Sequence, residues 1–371
     1  MAVWQGTLED LEVNPKFWRG KKVLITGHTG FKGSWLSLWL QNLGAELIGY
    51  SLLPPTEPCL FELAHVERGM ISINGDVRDL EHFNAVAKEH NPEILIHMAA
   101  QSLVKPSHSN PVDTYSTNVM GTVNTLELVR NLDCFKVAII ITSDKCYENK
   151  EWEWGYREYE RLGGVDPYSN SKACAELITS AYQRSYFFDS GNEGAFKAVA
   201  SVRAGNVIAG GDWAENRLIP DVMKAFMDDY PVQIRNPNAV RPWQHVLEPL
   251  DGYLTLAEKL WDEGGIDYCT PWNFGPNEED TKTVFWVVDQ LVKLWDGNVK
   301  WEEIPTSHPQ EANYLKLDCS KSKMLLGWHP KLGLQTSLEW ITEWYQKYNS
   351  NLDVSKYTRD QIQQYQDLKS C

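Results

Sequence analysis

The 371-residue sequence lacks the features of a membrane protein, a secreted protein or a nucleic-acid binder. It has no run of about 18 apolar residues, the length that spans a bilayer, and its start lacks the basic stretch and apolar core of a secretory signal. Lys and Arg (35) are outnumbered by Asp and Glu (50), which gives a net charge of −15. That charge disfavours nucleic-acid and anionic-membrane partners. We therefore expect a cytoplasmic protein with neither kind of partner.

Cysteine is also sparse and shows no paired pattern. The seven cysteines are scattered, odd in number and free of CxxC pairs, which argues against a disulfide framework and against a zinc site. We expect reduced thiols and no bound metal. Cys146 lies beside a polar cluster, but it would point to the opposite strand face from Lys145, so packing is its expected role.

Apolar residues make up 43% of the chain, enough for a full core in two lobes. The segment 21–52 reads as strand, glycine turn, helix and strand, and a similar alternation continues to about Tyr186. Helices are expected around 115–131 and 168–186. Strands that are apolar on both faces and alternate with helices are typical of a doubly wound parallel α/β sheet of the Rossmann type.

The alternation of strands and helices ends after about Arg203, where shorter pieces rich in Gly, Pro, Trp and Asn follow. We interpret them as a smaller, loop-rich lobe that binds substrate, with helices near 249–260 and, as the terminal helix, near 337–348. The predicted division is an N-terminal arm, a cofactor-binding Rossmann domain that the chain later rejoins, and a substrate-binding lobe. The arm is 1–16, and the Rossmann domain is 17–205 with about 240–268. The substrate-binding lobe is 206–239 with 269–371.

The glycine turn after the first strand predicts a dinucleotide site. Gly27, Gly30 and Gly33 in "TGHTGFKG" let backbone amides approach a pyrophosphate at a helix N-terminus. Ser51 stands where an acid usually holds the adenine ribose, and no arginine follows it to receive a 2′-phosphate. NAD is therefore the predicted cofactor. The other expected cofactor contacts are Thr29, Phe31, Lys32, Asp76, Val77, Ala99, Ala100, Gln101 and Asn118, with a simple turn role an equal alternative for Asp76.

A second polar cluster ends the aliphatic strand in "VAIIITSDKCY", where Ser143, Asp144 and Lys145 are adjacent. Tyr168 and Lys172 in "YSNSK" are four residues apart and share one helix face. A lysine near a tyrosine lowers the phenol pKa from about 10, which provides a base for a hydroxyl proton during hydride transfer. Such a pair is usually a solvated helix face, and its place after the Ser143 strand makes it a catalytic candidate.

Taken in order, the glycine turn, "SDK", "YSNSK" and "TNVMGT" with Asn118 resemble the extended short-chain dehydrogenases/reductases from about Phe17 onward. The strings "GHTGFKGSWLSLWL", "NKEWEWGYREYERLGG", "RAGNVIAGGDW" and "RPWQHVLEPLDGYL" more closely resemble the CDP-D-glucose 4,6-dehydratases. The resemblance implies an NAD-using lyase that makes CDP-4-keto-6-deoxy-D-glucose from CDP-D-glucose. It also implies a homodimer or dimer of dimers, joined through the helices near 115–131 and 168–186, and a role in dideoxysugar synthesis for a lipopolysaccharide O-antigen.

The same resemblance implies a role for each polar residue. Tyr168 would take the 4-hydroxyl proton while a hydride passes from C4 to NAD, Ser143 would bond the same oxygen, and Lys172 would hold the phenolate and the nicotinamide ribose. The C5 proton and the 6-hydroxyl then leave, and the hydride returns to C6. Asp144, if protonated, would be the acid for the 6-hydroxyl.

The base at C5 remains open. Dehydratases that act on dTDP-glucose have a glutamate where this chain has Lys145. Since an ammonium cannot accept a proton, either Lys145 acts as a neutral amine, a form that burial and neighbouring positive charge favour, or Asp144 makes both transfers. A Lys145–Asp144 charge pair without catalytic use is a further possibility, and the neutral lysine is our preferred hypothesis.

Cations are needed for the diphosphate of the substrate. Arg217 and Arg241 follow loop-rich stretches and are the preferred candidates, with Arg203 a third. The tryptophans of "EWEWGY" would cover the sugar as a lid, although packing is the favoured role for any one of them. The remaining substrate candidates are Lys105, Asn206 and Trp213, and His108 would border the cofactor if it is not simply solvated.

Two other functions compete with dehydration. A nucleotide-sugar 4-epimerase uses the same Ser, Tyr and Lys but needs no acid for loss of water, so Asp144 argues against it. A non-catalytic NAD-binding sensor would have no use for Ser143, Tyr168 and Lys172 together. Substituting Tyr168 by Phe would separate the two classes, because a sensor would be indifferent to it.

Overall fold

The computed structural model describes residues 12–188, 196–262, 264–295, 300–304 and 314–368, so most of the predicted N-terminal arm lies outside the described residues. The strands there are β1 (Lys22–Thr26), β2 (Glu46–Ser51), β3 (Ile71–Asn74), β4 (Ile94–His97), β5 (Val137–Ile141), β6 (Ala198–Ala204), β7 (Asn206–Ile208), β8 (Val232–Ile234), β9 (Val240–His245), β10 (Trp272–Phe274), β11 (Thr281–Thr283) and β12 (Trp301–Glu303). The helices there are α1 (Pro15–Trp18), α2 (Phe31–Asn42), α3 (Leu60–Leu63), α4 (Leu80–His90), α5 (Val104–Ser109), α6 (Pro111–Tyr115), α7 (Gly121–Asn131), α8 (Pro167–Tyr182), α9 (Leu218–Met227), α10 (Leu247–Trp261), α11 (Val284–Trp295), α12 (Ser320–Leu326), α13 (Leu334–Asn349) and α14 (Val354–Asp367). None of these helices is long and apolar enough to cross a membrane.

The central element is a seven-stranded parallel sheet in the order β3-β2-β1-β4-β5-β6-β10. β1 lies between β2 and β4, with Val23 beside Leu47 on one side and Ile94 on the other. The strand order therefore reverses at the β1–β4 boundary, and the carboxyl edge at such a reversal is where doubly wound sheets bind ligands. The predicted Rossmann-type fold is confirmed.

Burial explains why these segments form a two-sided sheet. Every residue of β4 and β5 is buried, and strands that are apolar on both faces must be covered by helices on both sides. On one side, α2 buries all residues from Gly33 to Leu40, including Trp35 and Trp39. The glycine turn at the start of α2 is thus anchored to the core and set at the carboxyl end of β1.

Two smaller sheets lie beside the central one. One is three-stranded (β11-β9-β7) and the other pairs β12 with β8. Only Gly205 separates β6 from β7, so the second lobe begins directly at the carboxyl edge of the central sheet. β10 pairs with β6 in the central sheet, although the predicted division assigns 269–371 to the substrate lobe. The division into domains stays a prediction.

The predicted helices are present, with two additions. The expected 115–131 helix contains a π-helical turn, Ser116–Met120, before α7, and α8 continues into another, Gln183–Phe187. α10 and α13 correspond to the helices expected near 249–260 and 337–348. The expectation that α13 is the terminal helix is wrong, because α14 follows it. α14 is mostly polar and buries only a narrow stripe, which made it inconspicuous in the sequence.

Candidate active site

The glycine turn leaves space next to the start of α2. Gly27 has a φ of +76°, a conformation that favours glycine, and a Cβ there would lie 2.8 Å from the backbone nitrogen of Ala99. A Cβ on Gly33 would lie 2.2 Å from the Gly27 carbonyl oxygen. Among the described residues no side chain caps α2 at Gly30. The first N–H groups of the helix, from Phe31 onward, are therefore open to an anion such as a pyrophosphate.

The end of β2 offers hydroxyl groups instead of a carboxylate. The side-chain oxygens of Ser51 and Thr29 are 2.7 Å apart. Asp76 is already bound by Arg78, with Oδ2 and Nη2 2.6 Å apart, and these hydrogen bonds hold the pKa of Asp76 below its ordinary value. Val77 is buried. The structure thus shows the turn role for Asp76, while contacts of Asp76 and Val77 with a cofactor stay predictions.

Asn118 ties the segment after β4 to the catalytic helix. Its Oδ1 accepts from the Gln101 N–H at 2.8 Å, and its Nδ2 donates to the Gln101 carbonyl at 2.9 Å and to Ser171 Oγ at 2.8 Å. Both amide hydrogens of Asn118 are therefore used within the protein. The residue positions the segment that includes Ala99 and Ala100 relative to α8.

Ser143 lies at the centre of the catalytic cluster. Its Oγ accepts a hydrogen bond from the Lys145 N–H at 3.2 Å and donates one to Asp144 Oδ1 at 3.0 Å. Ser143 also opposes the rise that burial causes in the pKa of Tyr168. The sharp turn after β5 and the first turn of α8 thus bring together three residues that the sequence predicted to act on one substrate.

Asp144 is held in an environment that favours its acid form. Burial raises its pKa, and the charges of Lys145 and Arg241 and the Ser143 hydrogen bond offset this only in part. Its Oδ2 is buried and has no hydrogen-bond partner among the described residues. A Cβ on Gly205 would lie only 3.2 Å from that oxygen. Since buried polar atoms are nearly always bonded, an Oδ2 without a partner is unusual and singles out Asp144 as a candidate functional group.

Tyr168 and Lys172 lie on one face of α8, as their spacing predicts. Burial raises the pKa of Tyr168 to about 12, and the Ser143 hydrogen bond and the Arg217 charge counteract it only partly. Burial thus outweighs any lowering of this pKa in the chain without ligands, and the expected lowering by Lys172 stays a prediction. The Lys172 ammonium donates instead to the Ile141 carbonyl at 3.2 Å, and burial lowers its own pKa to about 8.

Lys145 is half-buried beside the cluster. It takes part in none of the ion pairs between described residues, although its charge acts on Asp144. The tight Lys145–Asp144 pair that the sequence left open is thus not formed. Whether Lys145 or Asp144 is the C5 base stays a prediction.

Two of the three candidate arginines reach the cluster. Arg217 donates to Ser102 Oγ at 3.1 Å across the crevice, and its charge acts on Tyr168. Arg241 is 9% exposed, and its charge acts on Asp144. Both cations therefore face the space between the sheet edge and the second lobe.

Arg203 has a structural position instead. It is 1% exposed and forms an ion pair with Glu176 in which Nη2 and Oε2 are 2.7 Å apart. Arg203 also donates to the Tyr147 hydroxyl at 2.6 Å, and Glu176 accepts from Thr142 and Ser201. Because Arg203 is buried in this ion pair, the structure gives no support for a contact with the diphosphate, which stays a prediction. Sequence reasoning missed Glu176, although it lies one helical turn beyond Lys172.

The other substrate candidates have varied surroundings. Trp213 packs on Tyr345 and Tyr348, with ring centroids 5.3 Å and 4.8 Å apart, which is the core role that the sequence left open. Lys105 is exposed on α5, as is His108 in the same helix. Asn206 begins β7 and is half-buried.

The predicted lid segment is partly packed. Trp152 stacks on Tyr156 with ring centroids 5.3 Å apart, whereas Trp154 is 69% exposed. Packing thus accounts for Trp152. A covering role for Trp154 stays a prediction.

Lys32 and Tyr253 lie closer to the catalytic cluster than their sequence positions indicated. Burial lowers the pKa of Lys32 to about 7, helped by Arg217 and Lys172, and its Nζ is 5.8 Å from the centroid of the Tyr253 ring. Tyr253 on α10 is fully buried, and its hydroxyl has no partner among the described residues. Burial and the charge of Asp144 raise the Tyr253 pKa. The available signal was their presence in the strings "GHTGFKG" and "LEPLDGYL".

Comparisons with known proteins agree with this geometry. Residues 24–340 match the family model described as GDP-mannose 4,6 dehydratase. A CDP-glucose 4,6-dehydratase of Salmonella typhimurium is 52% identical over 95% of this chain and 98% of its own length. The crystal structure of a dTDP-glucose 4,6-dehydratase from Bacillus anthracis in complex with NAD has a TM-score of 0.74 at 23% identity, covers 90% of this chain and 99% of its own, and shows the shared fold. The chain therefore belongs to the GDP-mannose 4,6 dehydratase family, and its resemblance to the CDP-D-glucose 4,6-dehydratases is confirmed.

Proposed function

We propose that this chain is a hydro-lyase that converts CDP-D-glucose to CDP-4-keto-6-deoxy-D-glucose and water, with NAD reduced and reoxidised in each cycle. The observation that carries the proposal is the buried Asp144 carboxyl group, which accepts a hydrogen bond from the Ser143 hydroxyl at 3.0 Å. The Salmonella typhimurium relative, named a CDP-glucose 4,6-dehydratase and 52% identical, supports the choice of reaction and nucleotide.

The residues at the glycine turn fit NAD. Side chains at Gly27 and Gly33 would collide with neighbouring backbone, so the turn can stay close to the start of α2, where N–H groups attract a pyrophosphate. Ser51 can bond a ribose hydroxyl, and Arg78, which follows the next strand, is engaged by Asp76. When bound, NAD accepts a hydride and returns it, and its oxidised ring carries a positive charge.

Tyr168 takes the proton of the 4-hydroxyl in the first step. Since burial is the main reason that its pKa is raised to about 12, the phenolate needs positive charge nearby. Arg217 provides some of that charge, and the oxidised nicotinamide ring of bound NAD would supply more. Ser143 donates to the same substrate oxygen, and Lys172, anchored at the Ile141 carbonyl, holds the ribose.

The second step removes the C5 proton and the 6-hydroxyl. The C4 ketone makes the C5 proton acidic, and Lys145 as the neutral amine takes it and later returns it to C5. Asp144 protonates the departing hydroxyl, a role that suits a buried carboxyl group with a raised pKa and a free Oδ2. Arg217 and Arg241 hold the diphosphate of the substrate from the second lobe.

Incubation with four sugar nucleotides tests the reaction and the base preference. CDP-glucose, dTDP-glucose, UDP-glucose and GDP-mannose are given separately, and products are followed by the alkaline ultraviolet absorbance of a 4-keto-6-deoxy sugar and by mass spectrometry. Loss of water from CDP-glucose alone is the expected result. A hexose epimer without loss of water would overturn the dehydratase proposal.

We also propose a homodimer, in which α6 to α8 form the interface. Large apolar side chains are exposed along this face: Val112 (81%), Met120 (49%), Leu177 (59%) and Tyr186 (53%). These exposures support an interface here, because large exposed apolar patches mark sites of protein–protein contact. The 4-keto-6-deoxy product suits dideoxysugar synthesis for a lipopolysaccharide O-antigen in the cytoplasm.

A further inference from the structure

Both ends of the catalytic turn are bound by buried side chains that the proposed reaction does not use. We define the catalytic turn as residues 143–146, which carry the side chains of Ser143, Asp144 and Lys145. Thr142 precedes the turn and Tyr147 follows it, and both are buried. The hydroxyl groups of these two flanking residues bond to partners elsewhere in the chain. The position of the turn therefore depends on what holds those partners.

The start of the turn is bound to α8. One face of that helix carries Tyr168, Lys172 and Glu176, which are spaced by four residues. Lys172 Nζ donates to the Ile141 carbonyl at 3.2 Å. The Glu176 carboxylate accepts a hydrogen bond from the hydroxyl of Thr142, the next residue in the chain. The two residues before the turn are thus held by the helix that carries Tyr168.

Arg203 connects the end of the turn to the same helix. Its Nη2 is 2.7 Å from Glu176 Oε2, and its Nη1 donates to the Tyr147 hydroxyl at 2.6 Å. That hydroxyl donates onward to Asn273 Oδ1 at 2.9 Å. Asn273 presents its oxygen here because its Nδ2 donates to two main-chain carbonyls, at 2.8 Å and 3.1 Å. The partners of Tyr147 therefore fix both the hydrogen and a lone pair of its hydroxyl.

Charge makes this network hard to deform. Glu176 and Arg203 are 2% and 1% exposed, so any movement that separates them leaves a buried charge without its partner. The Glu176 carboxylate also accepts from Ser201 Oγ at 2.7 Å. Hydrogen bonds to an ionised group are stronger than those between neutral groups. The catalytic turn is therefore held at both ends by bonds that resist displacement.

We infer that this buried network positions the catalytic turn relative to Tyr168. Glu176 holds the turn at its start, and Arg203 holds it at its end through Tyr147. The turn carries the groups that would act at the 4-hydroxyl and the 6-hydroxyl, whereas the phenol comes from α8, so the reaction depends on the distance between the two. The network acts on the sugar only through the turn. This inference rests on the proposed function.

Thr142 allows a test that leaves both charges in place. Thr142→Val keeps the shape of the side chain without its hydroxyl, and Thr142→Ser keeps the hydroxyl. The matched control is Thr179→Val, which removes a buried hydroxyl that donates within α8, to the Ala175 carbonyl at 2.8 Å. Each holoenzyme is assayed with CDP-glucose for kcat and KM, and its urea midpoint is measured.

We expect kcat of Thr142→Val to fall by about 10–100-fold, since a displacement of about 1 Å costs about 10²-fold in rate. Thr142→Ser and Thr179→Val should keep kcat near the native value. KM for CDP-glucose should stay near its native value in all three variants, because Arg217 and Arg241 lie outside the network. A lower kcat at constant KM is the sign of misplaced reacting groups.

The control separates positioning from a merely structural role. Both valine variants lose one buried hydrogen bond, so we expect similar decreases in their urea midpoints. If Thr142→Val has a lower urea midpoint but the same kcat as Thr179→Val, the network only stabilises the fold and the proposal is overturned. A kcat of Thr142→Ser as low as that of Thr142→Val also overturns it.

Tyr147→Phe tests the other end of the turn, and it replaces Thr142→Val if that variant does not fold. It removes the hydroxyl that Arg203 binds, and kcat should again fall at constant KM. Tyr365→Phe in α14 is its matched control, because it removes a buried hydroxyl that donates to Glu248 Oε2 at 3.0 Å. Equal kcat values for these two variants would contradict positioning by Arg203.

Failure of the proposed function looks different, since the native enzyme would then form no 4-keto-6-deoxy sugar from any of the four sugar nucleotides. Circular dichroism and bound NAD show which variants have folded. A native enzyme that forms the product, with variants that keep its kcat, overturns the positioning role alone.

Discussion

At the scale of single residues, burial decides which groups of the site carry a proton. It lowers the pKa of Lys172 to about 8 and raises that of Tyr168 to about 12, which moves the two values apart rather than together. The phenolate therefore depends on charges outside this pair. Lys172 in turn depends on Glu176, whose charge raises the Lys172 pKa against the effect of burial.

Glu176→Gln tests that dependence. Removing the charge should lower the Lys172 pKa further, so the ammonium is lost at lower pH and the alkaline limb of kcat/KM moves to lower pH. The variant should also be less stable by about 3 kcal/mol, because Arg203 loses its buried partner. Ser201→Ala removes one hydrogen bond to Glu176 without changing its charge, and its alkaline limb should stay in place.

Tyr253→Phe removes a buried hydroxyl that has no partner among the described residues. Since an unpaired buried polar group destabilises a fold by about 1–3 kcal/mol, we expect the free energy of unfolding to rise by about 1 kcal/mol in denaturant titrations. We expect kcat to fall, because the hydroxyl faces the charge of Asp144. An unchanged kcat would mean that the hydroxyl takes no part in the reaction.

At the scale of elements, α10 carries buried carboxyl groups that accept hydrogen bonds from other segments. Glu248 accepts from the N–H groups of Lys331 and Leu332 and from the Tyr365 hydroxyl of α14. Burial raises the pKa of Glu248 from 4.5 to about 8. α10 thus joins the central sheet to the helix that the sequence analysis overlooked.

The free energy of unfolding should depend on pH through the Glu248 carboxyl group. Because the folded pKa of Glu248 is raised, its contribution is fully present below the ordinary value of 4.5 and is lost as the pH rises through about 8. We expect the urea midpoint of the native chain to decrease over that range, and Glu248→Gln, which stays neutral, to weaken the decrease. Glu339→Gln on the exposed side of α13 is the matched control and should leave the decrease of the urea midpoint unchanged.

At the scale of the whole molecule, the candidate active site lies where the central sheet meets the second lobe. The sheet edge supplies Ser143 and Asp144, α8 supplies Tyr168, and the cations come from beyond β6. Arg217 reaches across to Ser102 at 3.1 Å and so connects the two sides. Any change in the position of the second lobe would therefore alter both the proposed diphosphate contacts and the charge near Tyr168.

The proposed dimer is also a property of the whole molecule. Leu177→Glu places a charge on the apolar α8 face, where Leu177 is 59% exposed, and sedimentation velocity should then show monomers. Leu352→Glu alters a residue of similar exposure, 57%, outside α6 to α8, and should leave the dimer intact. Equal sedimentation of both variants would contradict an interface on α8.

The sequence by itself determined the features that depend on near neighbours in the chain. The glycine turn between β1 and α2 followed from a strand, three glycines and a helical period. The shared face of Tyr168 and Lys172 followed from their spacing of four. The parallel sheet followed from strands that are apolar on both faces. Each of these is a local pattern with one common structural solution.

Only the tertiary structure decided which charged groups meet. Arg203, Arg217 and Arg241 look alike as cations in the sequence, yet Arg203 is enclosed with Glu176 while the other two face the crevice. The raised pKa of Tyr168 was equally hidden. Burial and charge act through space between residues far apart in the chain, so no spacing within one segment encodes them.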